Sequence, residues 1–154
     1  MLIIYFSRYS AAPALLAATR HFYSEEGPEQ GAARAASWWR RFPPGGPPAA
    51  TLISYGLHPS GRVCFMTFTA SPPLVLHALH EFCALFPGED WIPVTAEAIP
   101  GFKKAKPLES IFKAGGKLRR RRDRHLMERA WEEVGLAVRE VHLKIEQRKG
   151  LGLR

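Results

Sequence analysis

The stretch Phe42–Pro48 reads FPPGGPP. Its prolines remove backbone donors and its glycines loosen the chain, so neither a helix nor a paired strand can run through it. The chain is thereby cut into two blocks, each legible from its own periodicity. Before the cut, Leu2–Phe6 is a short apolar run that predicts a strand. Ala14–Tyr23 carries Leu15, Leu16, Ala18, Thr19 and Phe22 at helical spacing, and Glu29–Arg41 predicts a second helix ending in Trp38-Trp39-Arg40-Arg41. After the cut, Thr51–Gly56 and Arg62–Thr69 flank His58-Pro59-Ser60-Gly61 as a hairpin. Ser71, followed by Pro72 and Pro73, opens a helix reaching about Phe86, and Trp91–Ala96 predicts a short edge strand. A lysine-bearing loop over Pro100–Pro107, a helical turn over Leu108–Lys113 and a break at Gly115-Gly116 follow. The longest element then runs from about Arg119 to Lys149 and stops at Gly150.

That order places the chain in the α+β class. It predicts a ferredoxin-like split βαβ (β-α-β-β-α-β) sandwich, a four-stranded antiparallel sheet with helices on one face, plus an inserted helix and a long C-terminal helix. Residues 1–100 form the sandwich, 101–118 a basic Gly/Lys loop, 119–150 the long amphipathic basic helix and 151–154 a flexible tail. A chain of 154 residues, 46% of them hydrophobic, suffices for one core. Its apolar runs fall short of the ~18–20 residues of a membrane span, and Arg8 and Pro13 interrupt the apolar start, so neither a membrane partner nor a secretory signal is expected. Cytoplasmic location follows, or nuclear or nucleolar location in a eukaryotic host. Cys64 and Cys83 stand in apolar surroundings and read as reduced thiols.

Charge is the most informative property. The formal net charge is +8, yet residues 1–100 contain no lysine and carry a net −1. The excess lies in Lys103, Lys104, Lys106, Lys113, Lys117, Arg119, Arg120, Arg121, Arg122 and Arg124, opposed only by Glu109 and Asp123. Crowding so many like charges costs self-repulsion, which a polyanion relieves. Arg119–Arg122 and Arg124 crowd a helix start, where the macrodipole is already positive, an arrangement that favours anion binding over helix stability. Lys113-Ala114-Gly115-Gly116-Lys117 predicts a phosphate cradle of backbone N–H groups, without the pattern of a nucleotide-hydrolysing loop. The primary expectation is a small nucleic-acid-binding protein, RNA or single strands favoured.

The stretch Gly61–Phe68 (GRVCFMTF) is similar in residue types to the third-strand motif of RNA-recognition domains, with Phe65 and Phe68 at aromatic positions and Val63 where a stacking ring would stand. The resemblance implies that Tyr5 and Phe65, brought side by side on central strands, stack bases on an open face, the alternative being that they pack under the inserted or the terminal helix. Trp38 and Trp39 are further stacking candidates, although adjacent helical tryptophans also serve as core anchors. His21, with Arg20 and Tyr23, resembles in residue type the metal-independent site of ferredoxin-like RNA-processing endonucleases, which implies the alternative of an endoribonuclease with His21 and Tyr23 as catalytic groups. The stripe Met127, Ala130, Trp131, Val134, Val138, Val141 and Ile145 predicts burial against the domain or a partner. A further alternative is therefore a non-catalytic subunit that docks on an acidic or ribonucleoprotein partner through it. Leu136 and Leu143 on the opposite side suggest a second interface such as a homodimer seam. His77 and His80 share a helical strip but lack a third ligand, so no metal and no cofactor is expected.

Overall fold

The structure is a computed structural model, which describes residues 1–96 and 105–151. In chain order the elements are β1 (Leu2–Arg8), α1 (Ala12–Phe22), α2 (Pro28–Trp39), β2 (Ile53–His58), β3 (Gly61–Phe68), α3 (Pro72–Ala84), β4 (Trp91–Thr95), α4 (Ala105–Lys113) and α5 (Arg121–Leu151). The expected lysine loop therefore contains a helix, and Lys103, Lys104 and the end of the predicted tail (152–154) lie outside the described residues.

The four strands form one mixed sheet in the order β2-β3-β1-β4. β1 runs parallel to β3, with Tyr5 opposite Phe65, and parallel to β4, while β2 and β3 pair antiparallel as a hairpin. This differs from the expected all-antiparallel sandwich. The cause is the second helix between β1 and β2. One helix returns the chain to the end where β1 began, whereas two helices leave it at the far end. β2 therefore descends against β1, and β3 rises beside it.

Helices cover both faces rather than one. Side chains alternate along a strand, so Ile3, Tyr5, Val63 and Phe65 enter the main core with α1, α2, α4 and α5, while Ile4, Phe6, Met66 and Phe68 meet Val75 and Leu79 of α3. Flanked on both sides, β1 is buried from Ile3 to Ser7, which explains its unbroken apolar run. The second face is thinly clad: α3 exposes Leu74, Leu76 and Phe82, and its C-cap residue Leu85 is exposed as well. Cys64 and Cys83 are free and buried, and burial pushes both thiols up, away from nucleophilic character.

The apolar stripe of α5 lies on the chain's own core. Met127, Ala130, Trp131, Val134, Val138, Val141 and Ile145 are all buried. Each of the larger ones contributes about 1.5–3 kcal/mol by leaving water. Trp131 is the anchor. Its indole lies where any side chain on Gly31 of α2 would stand, its Nε1–H donates to Glu26 O at 2.9 Å, and the Arg20 guanidinium lies 4.7 Å over its ring. Of the two expectations for the stripe, burial against the domain holds and a partner surface does not, while Leu136 and Leu143, the expected second interface, face outward. Near its end Arg148 donates to Trp91 O of β4 at 3.0 Å.

Candidate functional site

The cationic segment begins at α4, whose last turn is closed by the twin glycines. Gly115 N–H donates to Phe112 O at 3.0 Å and Gly116 N–H to Ile111 O at 2.8 Å, with φ of +77° and +75°. This is a Schellman motif, in which left-handed residues satisfy the carbonyls a helix leaves open. Gly116 is buried so tightly against α2 that a Cβ would collide with the Ala32 carbonyl. Both N–H groups are therefore committed within the chain, and the expected phosphate cradle at Gly115-Gly116 does not exist. Lys113 is drawn to Glu109 at 3.7 Å, while Lys106 and Lys117 are exposed.

Release from α4 leads directly into the arginines. Arg119 and Arg120 precede α5, Arg121, Arg122 and Arg124 occupy its first turn, and all five are exposed. Arg119, Arg121, Arg122 and Arg124, with His125 and Glu128, line one open concavity of about 960 Å³. Lys117 and Arg119 line an adjoining one of about 350 Å³ with Glu29. Among the described residues only Arg124 of these five arginines forms an ion pair, at 3.6 Å from Glu29. Four guanidinium groups thus face one hollow beside the positive end of a helix with little internal neutralisation.

The expected stacking residues are elsewhere. Tyr5 and Phe65 are both fully buried, because α1 and α2 close over the sheet face that would have been their platform. Neither can receive a base in this fold. Trp39 is likewise a core residue, packed on Phe112. Trp38 remains half-buried at the surface.

His21 lies at the centre of a network absent from the sequence reading. It is 1% exposed. Tyr5 Oη is 2.8 Å from its Nδ1, Ser60 Oγ is 2.8 Å from its Nε2, and Ser60 Oγ is 2.7 Å from His58 Nδ1. The direction of this chain follows from one backbone group. Ser60 N–H donates to His58 Nδ1 at 3.2 Å, so that nitrogen is an acceptor. Ser60 Oγ–H then donates to His58, His21 Nε2–H donates to Ser60, and Tyr5 Oη–H donates to His21 Nδ1. His142 stacks on the His21 ring at 4.6 Å between centroids, and His58 meets it edge-on at 4.7 Å. Burial first, then the neighbouring His142 and His58, push the His21 imidazole down to about 3. Burial also pushes the Tyr5 phenol up.

Such a His21 is a poor proton shuttle. It is neutral, closed to solvent and bonded at both nitrogens, and its Nε2 donates to Ser60 rather than activating it. Tyr23 does not join it, but carries Arg34 4.3 Å over its ring. Nor do the three imidazoles offer a common point to a cation, and no group of three or more metal-ligating side chains occurs among the described residues. His58 and Ser60 carried no sequence signal beyond that of a turn. His142 did: it lies one helical turn beyond Val138 of the buried stripe, at the margin of the core.

No helix among the described residues is long and apolar enough to cross a membrane. Comparison with known protein families, with curated proteins and with solved structures finds no match for this chain.

Proposed function

We propose that this protein binds nucleic acid through the arginine hollow at the start of α5. The observation that carries the reading is the convergence of Arg119, Arg121, Arg122 and Arg124 on one concavity while only Arg124 meets a carboxylate among the described residues. Guanidinium groups bind phosphate oxygens in pairs, and a backbone of regularly spaced phosphates relieves several of them at once. Exposed Lys117 and Lys106 extend the same field along the path from α4. The endoribonuclease alternative has weaker support, since His21 is sealed and Tyr23 is turned to Arg34. The docking-subunit alternative loses its main surface, because the α5 stripe is filled from within.

The test is fluorescence anisotropy with labelled oligonucleotides over a range of salt. Neutralising about five phosphates gives a slope of log K against log salt of roughly −3.5 on a single strand to −4.5 on a duplex. The triple variant R119Q/R121Q/R122Q should flatten that slope by about two and weaken all sequences alike. Affinity indifferent to salt, or a triple variant that binds as the parent does, would overturn the reading.

A further inference from the structure

The outer face of α2 and the adjoining end of α1 and β2 enclose a separate pocket of about 430 Å³. Its walls are aromatic and cationic together. Arg34 lies over Tyr23 at 4.3 Å and Arg41 over Trp38 at 4.1 Å, and Trp38 in turn stacks on Tyr55 at 4.7 Å with 22° between the planes. The two arginines are not equivalent. Arg34 is neutralised by Glu26, Nη2 to Oε1 at 2.8 Å. Arg41 is exposed and has no side-chain hydrogen bond or ion pair among the described residues.

A guanidinium laid flat on an indole keeps its N–H groups pointing outward in its own plane, where they meet an anion two at a time. The ring it covers, backed by Tyr55, is a stacking surface as soon as the arginine moves aside to that anion. Gln30 and Ser37 add neutral donors and acceptors at the rim. A planar hold, one uncommitted cation and neutral polar edges match a heterocycle joined to a phosphate.

We infer that this pocket takes one nucleotide with an unpaired base, its ring against Trp38 and its phosphate on Arg41. The source is either a free mononucleotide or a unit of a single strand that also crosses the arginine hollow, and only the second source rests on the function proposed above. A base inside a duplex is stacked on its neighbours and cannot enter, so the pocket supplies the preference for single strands that the buried sheet cannot.

The experiment follows the Trp38 indole N–H resonance and affinity by titration with adenosine 5′-monophosphate, adenosine, inorganic phosphate, a single strand of about eight nucleotides and its duplex. The mononucleotide should move the Trp38 resonance most and adenosine more weakly, while phosphate alone, which can draw Arg41 aside but leaves the ring bare, should move it least. Arg41→Gln alters an exposed side chain whose contact with the Trp38 face involves no hydrogen bond or ion pair, so the fold is retained, and it should weaken the mononucleotide ~tenfold or more. R119Q/R121Q/R122Q should leave mononucleotide binding unchanged and weaken the strand. The single strand should bind ~tenfold more tightly than the duplex. The pocket proposal is overturned if neither mononucleotide nor strand moves Trp38, if phosphate alone reproduces the shift, or if R41Q binds as the parent does. Salt-sensitive binding equal for strand and duplex with Trp38 unmoved removes the pocket and leaves the arginine hollow standing. Mononucleotide binding at Trp38 without strand affinity removes the hollow and leaves the pocket as a free-nucleotide site.

Discussion

At the start of α5 five guanidinium groups stand in solvent, four of them lining one hollow. Around Ser60, by contrast, His21, His58 and His142 are gathered against β1 and α1, and His21 is held in its neutral form. Both regions concentrate ionisable side chains, with opposite physics. In the first, charge is retained because water bears its cost. In the second, charge on His21 and His58 is suppressed because burial withholds water, and their hydrogen bonds replace it. A surface cluster of this kind contributes little to folding and much to attraction at a distance, whereas the interior cluster ties the β2–β3 turn to the core and attracts nothing.

Acid attacks this contrast most strongly. The His21 imidazole is pushed down from its ordinary value of 6.5 to about 3, so between those values the unfolded chain binds a proton that the folded chain refuses. Stability from this group is complete above about pH 6.5 and is lost as pH falls toward 3, at up to about 1.4 kcal/mol per pH unit. Burial lowers His58 as well, in the same sense. Urea midpoints measured between pH 7 and pH 4 should therefore fall, with His21→Gln showing a shallower fall than the parent. Equal slopes for the two proteins would mean that the imidazole is not held neutral.

Tyr5→Phe probes a single bond of the same network. It leaves the buried His21 Nδ1 without its donor and should cost about 1–3 kcal/mol in equilibrium unfolding, with oligonucleotide affinity unchanged. Smallest is the expected effect of the hollow on the fold: R121Q/R122Q should alter unfolding free energy by no more than about 0.5 kcal/mol. A large loss there would show that these arginines hold the fold together, and the contrast between the two regions would vanish.

The hollow was legible in advance because its residues are neighbours in the chain, and local charge density needs no topology to be recognised. Among the described residues the strands and helices were legible for the same reason, from periodicity and from punctuation such as Phe42–Pro48, except for the first turn of α4, which reads as loop. Strand direction was not. It depends on whether the helix over Glu29–Arg41 counts as an insertion or as a second reversal, and only the completed sheet decides that. The same miscount kept open a bare sheet face on which Tyr5 and Phe65 could stack bases; α1 and α2 close over it, and the alternative of packing under the inserted helix holds. The twin glycines misled differently: a flexible pair before a basic run suits a phosphate loop and a helix terminus equally, and the hydrogen bonds to Ile111 and Phe112 select the terminus. The imidazole network joins β1, α1, the β2–β3 turn and α5, which no local pattern connects.

One contact at the far end of α5 bears on how the molecule keeps to itself. β4 is an outermost strand, and outermost strands invite pairing by foreign chains through their idle carbonyls. Arg148 occupies the carbonyl of Trp91, and Pro93, two residues on, has no N–H to offer. On the opposite margin the β2–β3 register slips between Ser54 and Gly56, which spoils the straight ladder that an incoming strand requires. Each margin of the sheet is thus blunted by its own device, and extension of the sheet from one molecule into the next is discouraged at both.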